Sequence, residues 1–329
     1  MSMNISNVRR MFNMCCLFGL IDYNNTFNAK EKNRLIKILS TECEARGTDA
    51  TGIAFNTESG LHISKRPIPA HKMWYRIPES ARVVMGHTRM TTQGSEKFNF
   101  NNHPFFGHVD KLDFALAHNG VLHNDNELRI AECLPKTNIQ TDSYVAVQLI
   151  EKENALGFDA IRKMAEKTEG SFCYTILDEK NNLYIVKGDN PMAIYKFNGF
   201  YLYASTDEIL TRAVKKIGLK NYSRINISCG DILKITPNGT IEIQTFHFKD
   251  RYFGAWSNYC NYSAFDPYEA EDIYIDEITE YAGYFGIAPE DVVMLLEYGY
   301  DELEIEEMLY DPLELQKCIS EIKLCEMLC

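Results

Sequence analysis

The side chains able to do chemistry are concentrated in five short segments of the chain. They supply two adjacent thiols, an arginine and an aspartate in one loop, several histidines, an asparagine–glycine pair and a later aspartate. In chain order the segments are 15–21 (CCLFGLI), 46–54 (RGTDATGIA), 86–94 (GHTRMTTQG) with 101–104 (NNHP), 117–124 (AHNGVLHN) and 140–142 (QTD). A thiolate is the strongest nucleophile among these groups, so the set could support nucleophilic catalysis.

Each segment taken alone has an ordinary structural interpretation. A cysteine within an apolar stretch is usually a small buried residue. His-Asn-Gly is typical of a turn in which the glycine takes a positive φ angle. Arg-Gly-Thr-Asp is typical of a loop with a solvated charge pair. The order and spacing of all five segments, however, are hard to obtain by chance.

Together the segments resemble the class II, or N-terminal nucleophile, glutamine amidotransferases. That family begins with cysteine and an apolar-Gly strand, and continues with R-G-x-D-x-x-G, G-H-T-R-x-x-T-x-G, N-x-H-P, H-N-G and a later aspartate. The resemblance extends over residues 15–245, with weaker matches at 169–172, 188–191 and 203–207. It implies hydrolysis of the glutamine side-chain amide to glutamate and ammonia through a thioester on an N-terminal cysteine.

Cys15 is the nucleophile that the resemblance implies, because residues 18–19 then align with the family's apolar-Gly pair. If Cys15 is the first residue of the mature chain, its α-amino group, with an ordinary pKa of about 7.7 to 8.0, can act as general base near neutral pH. Residues 1–14 must then be absent, through autocatalytic cleavage or through translation from Met14 and its removal. We favour the second route. Cys16 is interpreted as a packed thiol on the opposite face of the first strand.

Asn119 and Gly120 are the oxyanion donors that the resemblance implies. The side-chain amide of Asn119 and the backbone N–H of Gly120 would stabilise the negative oxygen of the tetrahedral intermediate. Glycine suits position 120 because a backbone amide can approach the substrate closely where no Cβ intervenes. Arg46 and Asp49 are interpreted as a pair within a turn that braces the site.

Four further residues are expected to contact glutamine. Arg89 is the expected clamp for the α-carboxylate, because a guanidinium forms bidentate hydrogen bonds with a carboxylate. Asp142 is the expected partner of the α-ammonium group. Thr92 and His103 match family positions that line the glutamine site or its closing loop, which the resemblance places at residues 89–94.

These residues need a scaffold, and the hydrophobic pattern predicts one of mixed α and β structure. Strands are predicted at 15–22, 52–56, 61–65, 83–88, 114–118, 171–178, 182–187, 193–197 and 200–204, with a hairpin at 231–236 and 240–246. Helices are predicted at 29–45, 124–134, 141–152, 158–167 and 207–217, with Asp125 and Thr141 as N-caps. The number of elements suits two packed sheets flanked by helices. The resemblance implies a four-layer αββα sandwich, an α+β fold of the Ntn-hydrolase type.

Charge is distributed unevenly along the 329 residues. The formal net charge is −12, but residues 266–329 hold 19 acidic and two basic residues, which gives −17 there and +5 elsewhere. This change predicts a boundary near residues 250–265. We therefore divide the chain into an N-terminal extension or propeptide (1–14), a type 2 glutamine amidotransferase domain (15–250), and a linker with an acidic helical tail (251–329).

The acidic tail is predicted to be a small helical appendage with a solvated face, the alternative being a docking module for a partner. Helical spacing occurs at 269–283 and 289–328. The tail is too short for the synthase domain that many members of the family carry. The resemblance therefore implies a stand-alone glutaminase subunit whose ammonia passes to an acceptor-synthase on a separate protein.

The composition of the chain gives expectations about its compartment, membrane association, nucleic-acid binding and cofactors. Ten cysteines without a CxxC pair indicate free thiols and a cytoplasmic protein. The chain has no stretch of 18 consecutive apolar residues, so no membrane span is expected. Its net acidic charge argues against a nucleic-acid partner. Neither a metal nor another cofactor is predicted, because the eight histidines follow no ligand spacing and neither a P-loop nor GxGxxG occurs.

Glutamine is the expected substrate, and two other functions stay open at this point. The first is an N-terminal-cysteine hydrolase that acts on another γ-glutamyl amide, since Arg89 and Asp142 would select an amino-acid-like substrate without fixing the leaving group. The second is a non-catalytic glutamine sensor in which residues 1–14 block Cys15. The sequence specifies neither the acceptor nor the oligomeric state.

Overall fold

Two antiparallel sheets form the centre of the protein in the computed structural model. The structure describes residues 15–248, 282, 287–298, 300, 305, 308, 315–320 and 322–323. The predicted extension at 1–14, the linker at 251–265 and most of the predicted helix at 269–283 lie outside these residues. By its contacts the chain divides into two compact units, Met1–Asp250 and Arg251–Cys329.

Thirteen strands occur among the described residues. They are β1 (Cys16–Ile21), β2 (Ala50–Thr57), β3 (Gly60–Arg66), β4 (Val83–Arg89), β5 (Phe105–Val109), β6 (Leu112–Leu122), β7 (Gly170–Asp178), β8 (Leu183–Lys187), β9 (Ala193–Lys196), β10 (Tyr201–Ala204), β11 (Ser223–Ile225), β12 (Asp231–Ile235) and β13 (Ile241–Thr245). The first sheet has the order β11-β9-β10-β1-β4-β2-β3, and the second has the order β13-β12-β8-β7-β6-β5. β5 and β11 are additional to the predicted strands.

Helices cover the outer face of each sheet. Those of the first unit are α1 (Ala29–Cys43), α2 (Asp125–Ala131), α3 (Tyr144–Glu153), α4 (Phe158–Lys167) and α5 (Asp207–Ile217). Apolar residues of α1 and α5 pack on the first sheet, and those of α3 and α4 pack on the second. A third apolar cluster fills the space between the sheets. The arrangement is the predicted α+β sandwich of four layers.

The alternation of side chains along β1 assigns one face to each neighbouring layer. Cys16, Phe18 and Leu20 lie in the cluster under the helices, whereas Leu17 and Ile21 lie between the sheets. Both sets are fully buried because helices cover one face of β1 and the second sheet covers the other. Cys16 is thus a packed thiol, as its position in the strand predicts.

The predicted helix N-caps Asp125 and Thr141 are wrong. α2 has Asn124 at its N-cap and α3 has Ser143, and neither side chain makes a capping hydrogen bond. The amide of Asn124 instead donates to the Lys167 carbonyl and accepts from a backbone N–H of the same segment, so it is used in tertiary contacts. Local capping chemistry was therefore a poor guide to where these helices begin.

The described residues beyond 250 include one helix and a small apolar cluster. In the second unit, helix α6 (Pro289–Tyr298) contributes Val292 and Leu295 to a small apolar cluster with Leu315 and Ile319. No helix in the described part of the chain is long and apolar enough to cross a membrane.

Candidate active site

Cys15 lies directly before β1, the central strand of the first sheet. Cys16 is paired with Thr88 on β4, and this register places Cys15 opposite Arg89 at the end of the two strands. The Cys15 sulfur accepts a hydrogen bond from the Met90 N–H at 3.4 Å, and its thiol lies 3.4 Å from the Met90 carbonyl oxygen. The first turn of the loop after β4 therefore holds the thiol.

Burial raises the pKa of the Cys15 thiol to about 11. The hydrogen bond from Met90 and the charges of Arg89 and Arg46 oppose this increase, whereas the charge of Asp142 adds to it. At neutral pH the thiol of this chain is protonated. It therefore needs a base that removes its proton before it can attack a carbonyl carbon.

The loop at 46–49 braces both the thiol residue and the loop after β4. The Arg46 side chain donates to the Cys15 carbonyl at 3.1 Å. The Asp49 carboxylate accepts from the Thr91 N–H at 2.8 Å, and the Asp49 N–H donates to the Arg89 carbonyl at 3.0 Å. In the structure as described, Arg46 and Asp49 do not form the predicted ion pair with each other. Each holds a different part of the site.

The Arg89 guanidinium shapes the loop that follows it. It donates to the Asn102 side-chain oxygen at 2.7 Å and to the carbonyls of Gln93 and Gly94 at 2.6 and 2.8 Å. Only 3% of Arg89 is exposed. Several of the donors that would clamp a carboxylate thus hold residues 93–94 in a tight turn, and contact with substrate stays a prediction for Arg89.

Asp142 joins this loop to the second sheet. Its carboxylate accepts from the Leu122 N–H at 2.7 Å, and its own N–H donates to the Gln93 side chain at 3.1 Å. The charge of Asp142 raises the pKa of Cys15, and Arg89 donates to the carbonyl of the same Gln93 that Asp142 contacts. The structure therefore brings an arginine and an aspartate of the predicted site together around Cys15.

Asn119 and Gly120 lie on β6, which runs further than the predicted strand at 114–118 and includes both residues. Asn119 is completely buried, and its side-chain oxygen has no hydrogen-bond partner. Gly120 has φ +143°, and a Cβ there would lie 1.9 Å from the Ser171 carbonyl oxygen. Only glycine fits at position 120, because both the backbone angle and the neighbouring strand exclude a side chain.

Thr92 and His103 have different surroundings, and contact with substrate stays a prediction for both. Thr92 is exposed. His103 is buried with both ring nitrogens unpartnered, and its ring contacts His87 and Phe105 at centroid distances of 4.3 and 4.4 Å. Burial holds the pKa of His103 well below its ordinary value, so the imidazole is neutral.

Ser205 lies beside Asn119 and is not among the site residues predicted from the sequence motifs. Its hydroxyl accepts from the Leu17 N–H at 2.8 Å and lies 3.5 Å from the Asn119 amide nitrogen. Asn190 supports the same strand from the other side, since its amide donates to the Asn119 carbonyl and the Ser171 hydroxyl at 3.0 Å each. Ser205 and Asn190 fall within the weaker motif matches at 203–207 and 188–191. These matches are the sequence features that could have indicated a role for the two residues.

Ser205→Ala is expected to lower kcat for glutamine roughly 10- to 100-fold. Without the Ser205 hydroxyl the Asn119 amide would be displaced, and a displaced donor stabilises the oxyanion less well even though it is still present. The buried Leu17 N–H would lose its side-chain acceptor, at a cost of about 1–3 kcal/mol in unfolding free energy. Steady-state kinetics and thermal denaturation measure the two effects. Ser40→Ala is the matched control, since it removes a buried hydroxyl that accepts from Tyr75 away from the site. Equal losses of kcat in both variants would contradict the role of Ser205.

No group of three or more histidine, cysteine, aspartate or glutamate side chains in the described ranges is arranged to hold a metal ion.

Comparison with known proteins identifies the class. Residues 87–212 match a family model described as a glutamine amidotransferase domain. The glutamine–fructose-6-phosphate aminotransferase of Staphylococcus epidermidis is 32% identical over 202 residues, which is 58% of this chain and 32% of that protein. The corresponding protein of Geobacillus kaustophilus is 32% identical over 250 residues, 71% of this chain and 38% of that protein. The chain thus spans about a third of the length of these relatives.

Solved structures agree on the fold. The glutamine phosphoribosylpyrophosphate amidotransferase of B. subtilis matches with a TM-score of 0.56 at 19% identity, covering 71% of this chain and 50% of that chain. At this identity the likeness concerns the fold alone. It shows that the two chains share the fold of two packed sheets flanked by helices. Together with this fold, the family match and the relatives show that the chain contains a class II glutamine amidotransferase domain. This is an enzyme domain of the N-terminal nucleophile type.

Proposed function

We propose that the protein hydrolyses the side-chain amide of glutamine through a thioester on Cys15 and releases ammonia for an acceptor on a separate protein. The observation that carries the proposal is the position of the Cys15 thiol, held by Met90 at the end of β1 and influenced by the opposite charges of Arg89 and Asp142. A zwitterionic amino acid presents a matching pair of charges, a carboxylate and an ammonium group.

In the first step the α-amine of Cys15 takes the thiol proton, and the sulfur attacks the amide carbon of glutamine. This role requires that no residue precede Cys15, because a nitrogen within a peptide bond is not a base. The negative oxygen that forms is stabilised by the Asn119 side-chain amide and the Gly120 N–H. The α-ammonium group then returns its proton to the amide nitrogen, the C–N bond breaks, and ammonia leaves the thioester.

In the second step water hydrolyses the thioester. The α-amine accepts a proton from the attacking water, and the same oxyanion donors stabilise the second tetrahedral intermediate. Collapse of this intermediate breaks the C–S bond, releases glutamate and returns the proton to the sulfur. One group thus serves as base and acid in both steps, and no catalytic histidine is needed.

The fate of the ammonia is the second part of the proposal. The relatives are longer than this chain, and the chain matches only about a third of each. We place the acceptor of the ammonia on a separate protein as part of this proposal. Location in the cytoplasm is part of the same proposal. No disulfide joins cysteines within the described residues, which fits a reducing compartment.

Two forms of the protein test the proposal directly: one begins at Cys15, and the other retains residues 1–14. The form that begins at Cys15 is expected to convert glutamine to equal amounts of glutamate and ammonia. The longer form is expected to be inactive, because its Cys15 has no free α-amine and its thiol has a pKa of about 11. Intact-mass measurement verifies the first residue of each form. Alkylation of the longer form should accelerate with pH up to about 11, whereas the shorter form should react at lower pH because an adjacent ammonium group favours the thiolate.

Three outcomes would contradict parts of the proposal. Equal activity of the two forms would exclude the α-amine as the base. A form that begins at Cys15 and binds glutamine without producing glutamate would support a sensor instead. A kcat/KM for another γ-glutamyl amide far above that for glutamine would show that the leaving group is not ammonia.

A further inference from the structure

A groove separate from the amidotransferase site lies beside β3, the edge strand of the first sheet. Its volume is about 490 Å³, within the range of small-molecule sites. Ile53 and Phe55 of β2 and Ile68 line it with apolar surface, and Ser64 contributes a hydroxyl. None of the predicted catalytic or glutamine-binding residues lines this groove.

Three cations on the rim of the groove have no partner among the residues that the structure describes. Arg66, Lys72 and Arg76 line it, and their side chains make neither a hydrogen bond nor an ion pair within the described residues. By contrast the neighbouring Lys37 donates to three backbone carbonyls. The lining contains no aspartate or glutamate. Cations gathered without a counter-charge create a positive potential that favours an anion.

An exposed indole completes the groove. Trp74 is 91% exposed, the largest exposed fraction among the large apolar side chains of the described residues. On the floor, the Phe55 ring contacts the His62 ring at a centroid distance of 4.9 Å. An indole left in water beside further rings offers a surface on which a planar ligand group can stack. The groove therefore combines stacking surface with anion-binding side chains.

We propose that this groove binds a phosphorylated ligand with a planar ring, of the nucleoside phosphate class. Arg66 and Arg76 contact the phosphate group, because a guanidinium forms bidentate hydrogen bonds with phosphate oxygens. Lys72 adds a point charge, and the ring of the ligand stacks on Trp74. The site is independent of glutamine hydrolysis, so neither proposal depends on the other.

The two tryptophans of the chain allow a direct test. Trp256 lies outside the described residues, and the Trp256→Phe variant of the full chain leaves Trp74 as the sole indole. Adenosine monophosphate is titrated while Trp74 fluorescence is followed at moderate salt, and calorimetry gives an independent affinity. We expect saturable quenching by the nucleotide. Inorganic phosphate lacks the ring that stacks on Trp74, and adenosine lacks the phosphate group. Each should therefore bind more weakly than the nucleotide by about tenfold or more.

The charge requirement is tested with Arg66→Gln/Arg76→Gln in the same background. The matched control is Arg34→Gln/Lys220→Gln, which removes two exposed cations elsewhere and changes the net charge equally. The groove variant is expected to bind the nucleotide at least about tenfold more weakly, and the control should bind normally. The proposal is overturned if the nucleotide causes no saturable quenching or if both variants lose affinity equally. It is also overturned if inorganic phosphate binds as tightly as the nucleotide. Unchanged melting temperatures establish that the variants are folded.

Discussion

Replacing Cys15 with alanine is expected to abolish glutamine hydrolysis, with kcat reduced by roughly 10^4- to 10^6-fold. The variant keeps a free α-amine when its chain begins at residue 15, so the base and the oxyanion donors are still present. The missing sulfur removes the atom that forms the thioester, and water is a far weaker nucleophile. Glutamate production and trapping of a covalent intermediate by mass spectrometry measure the effect.

The adjacent thiol supplies the matched control. Cys16 is fully buried beneath the helices, and its thiol donates to the Leu17 carbonyl at 3.5 Å. Cys16→Ser keeps a hydrogen-bonding group in nearly the same volume, so kcat should stay within a few-fold of the parent. A glutamine-analogue electrophile should label Cys15 and leave Cys16 unmodified. Labelling at Cys16 alone would show that the nucleophile has been placed one residue too early.

The parts of the fold predicted from sequence are those with a strong local pattern. The helices α4 and α5 begin and end at the predicted residues, because their apolar residues recur at helical spacing on one face. The strand at 114–118 was predicted too short. In the structure β6 continues to Leu122 because residues 119–122 pair with β7, although they include a glycine and an asparagine. Pairing with a distant strand outweighed the local preference for a turn.

Site residues that belong to a motif could be predicted from the sequence. Positions that depend on strand register or on the path of a loop could not. Ser205 lies opposite Leu17 only because β10 pairs with β1 in one register, across 188 residues of sequence. The exposed position of Thr92 follows from the turn that Arg89 makes with the carbonyls of Gln93 and Gly94. Neither the register nor the path of this loop has a signal in the local sequence.

Asn119→Ala is expected to lower kcat by roughly 100- to 1000-fold, the usual cost of losing one oxyanion donor. Stability should change little, because among the described residues the Asn119 amide donates only one long hydrogen bond, 3.5 Å to the Ser205 hydroxyl. A buried amide without good partners costs free energy in the folded protein. We therefore attribute its presence to binding of the reacting oxygen, and the affinity for glutamine should be nearly unchanged.

Asn56→Ala is the matched control, and it should lower stability while leaving kcat unchanged. Asn56 is also a buried asparagine on a strand, but its amide donates at 2.8 Å to the Asp178 carbonyl and at 3.0 Å to the Asn181 side chain. Its loss should lower the free energy of unfolding by about 1–3 kcal/mol and leave kcat unchanged. Kinetics and denaturation of both variants measure the two effects separately. A large loss of stability with a small loss of kcat in Asn119→Ala would assign this residue a structural role, because oxyanion stabilisation acts on the transition state and not on the folded protein alone.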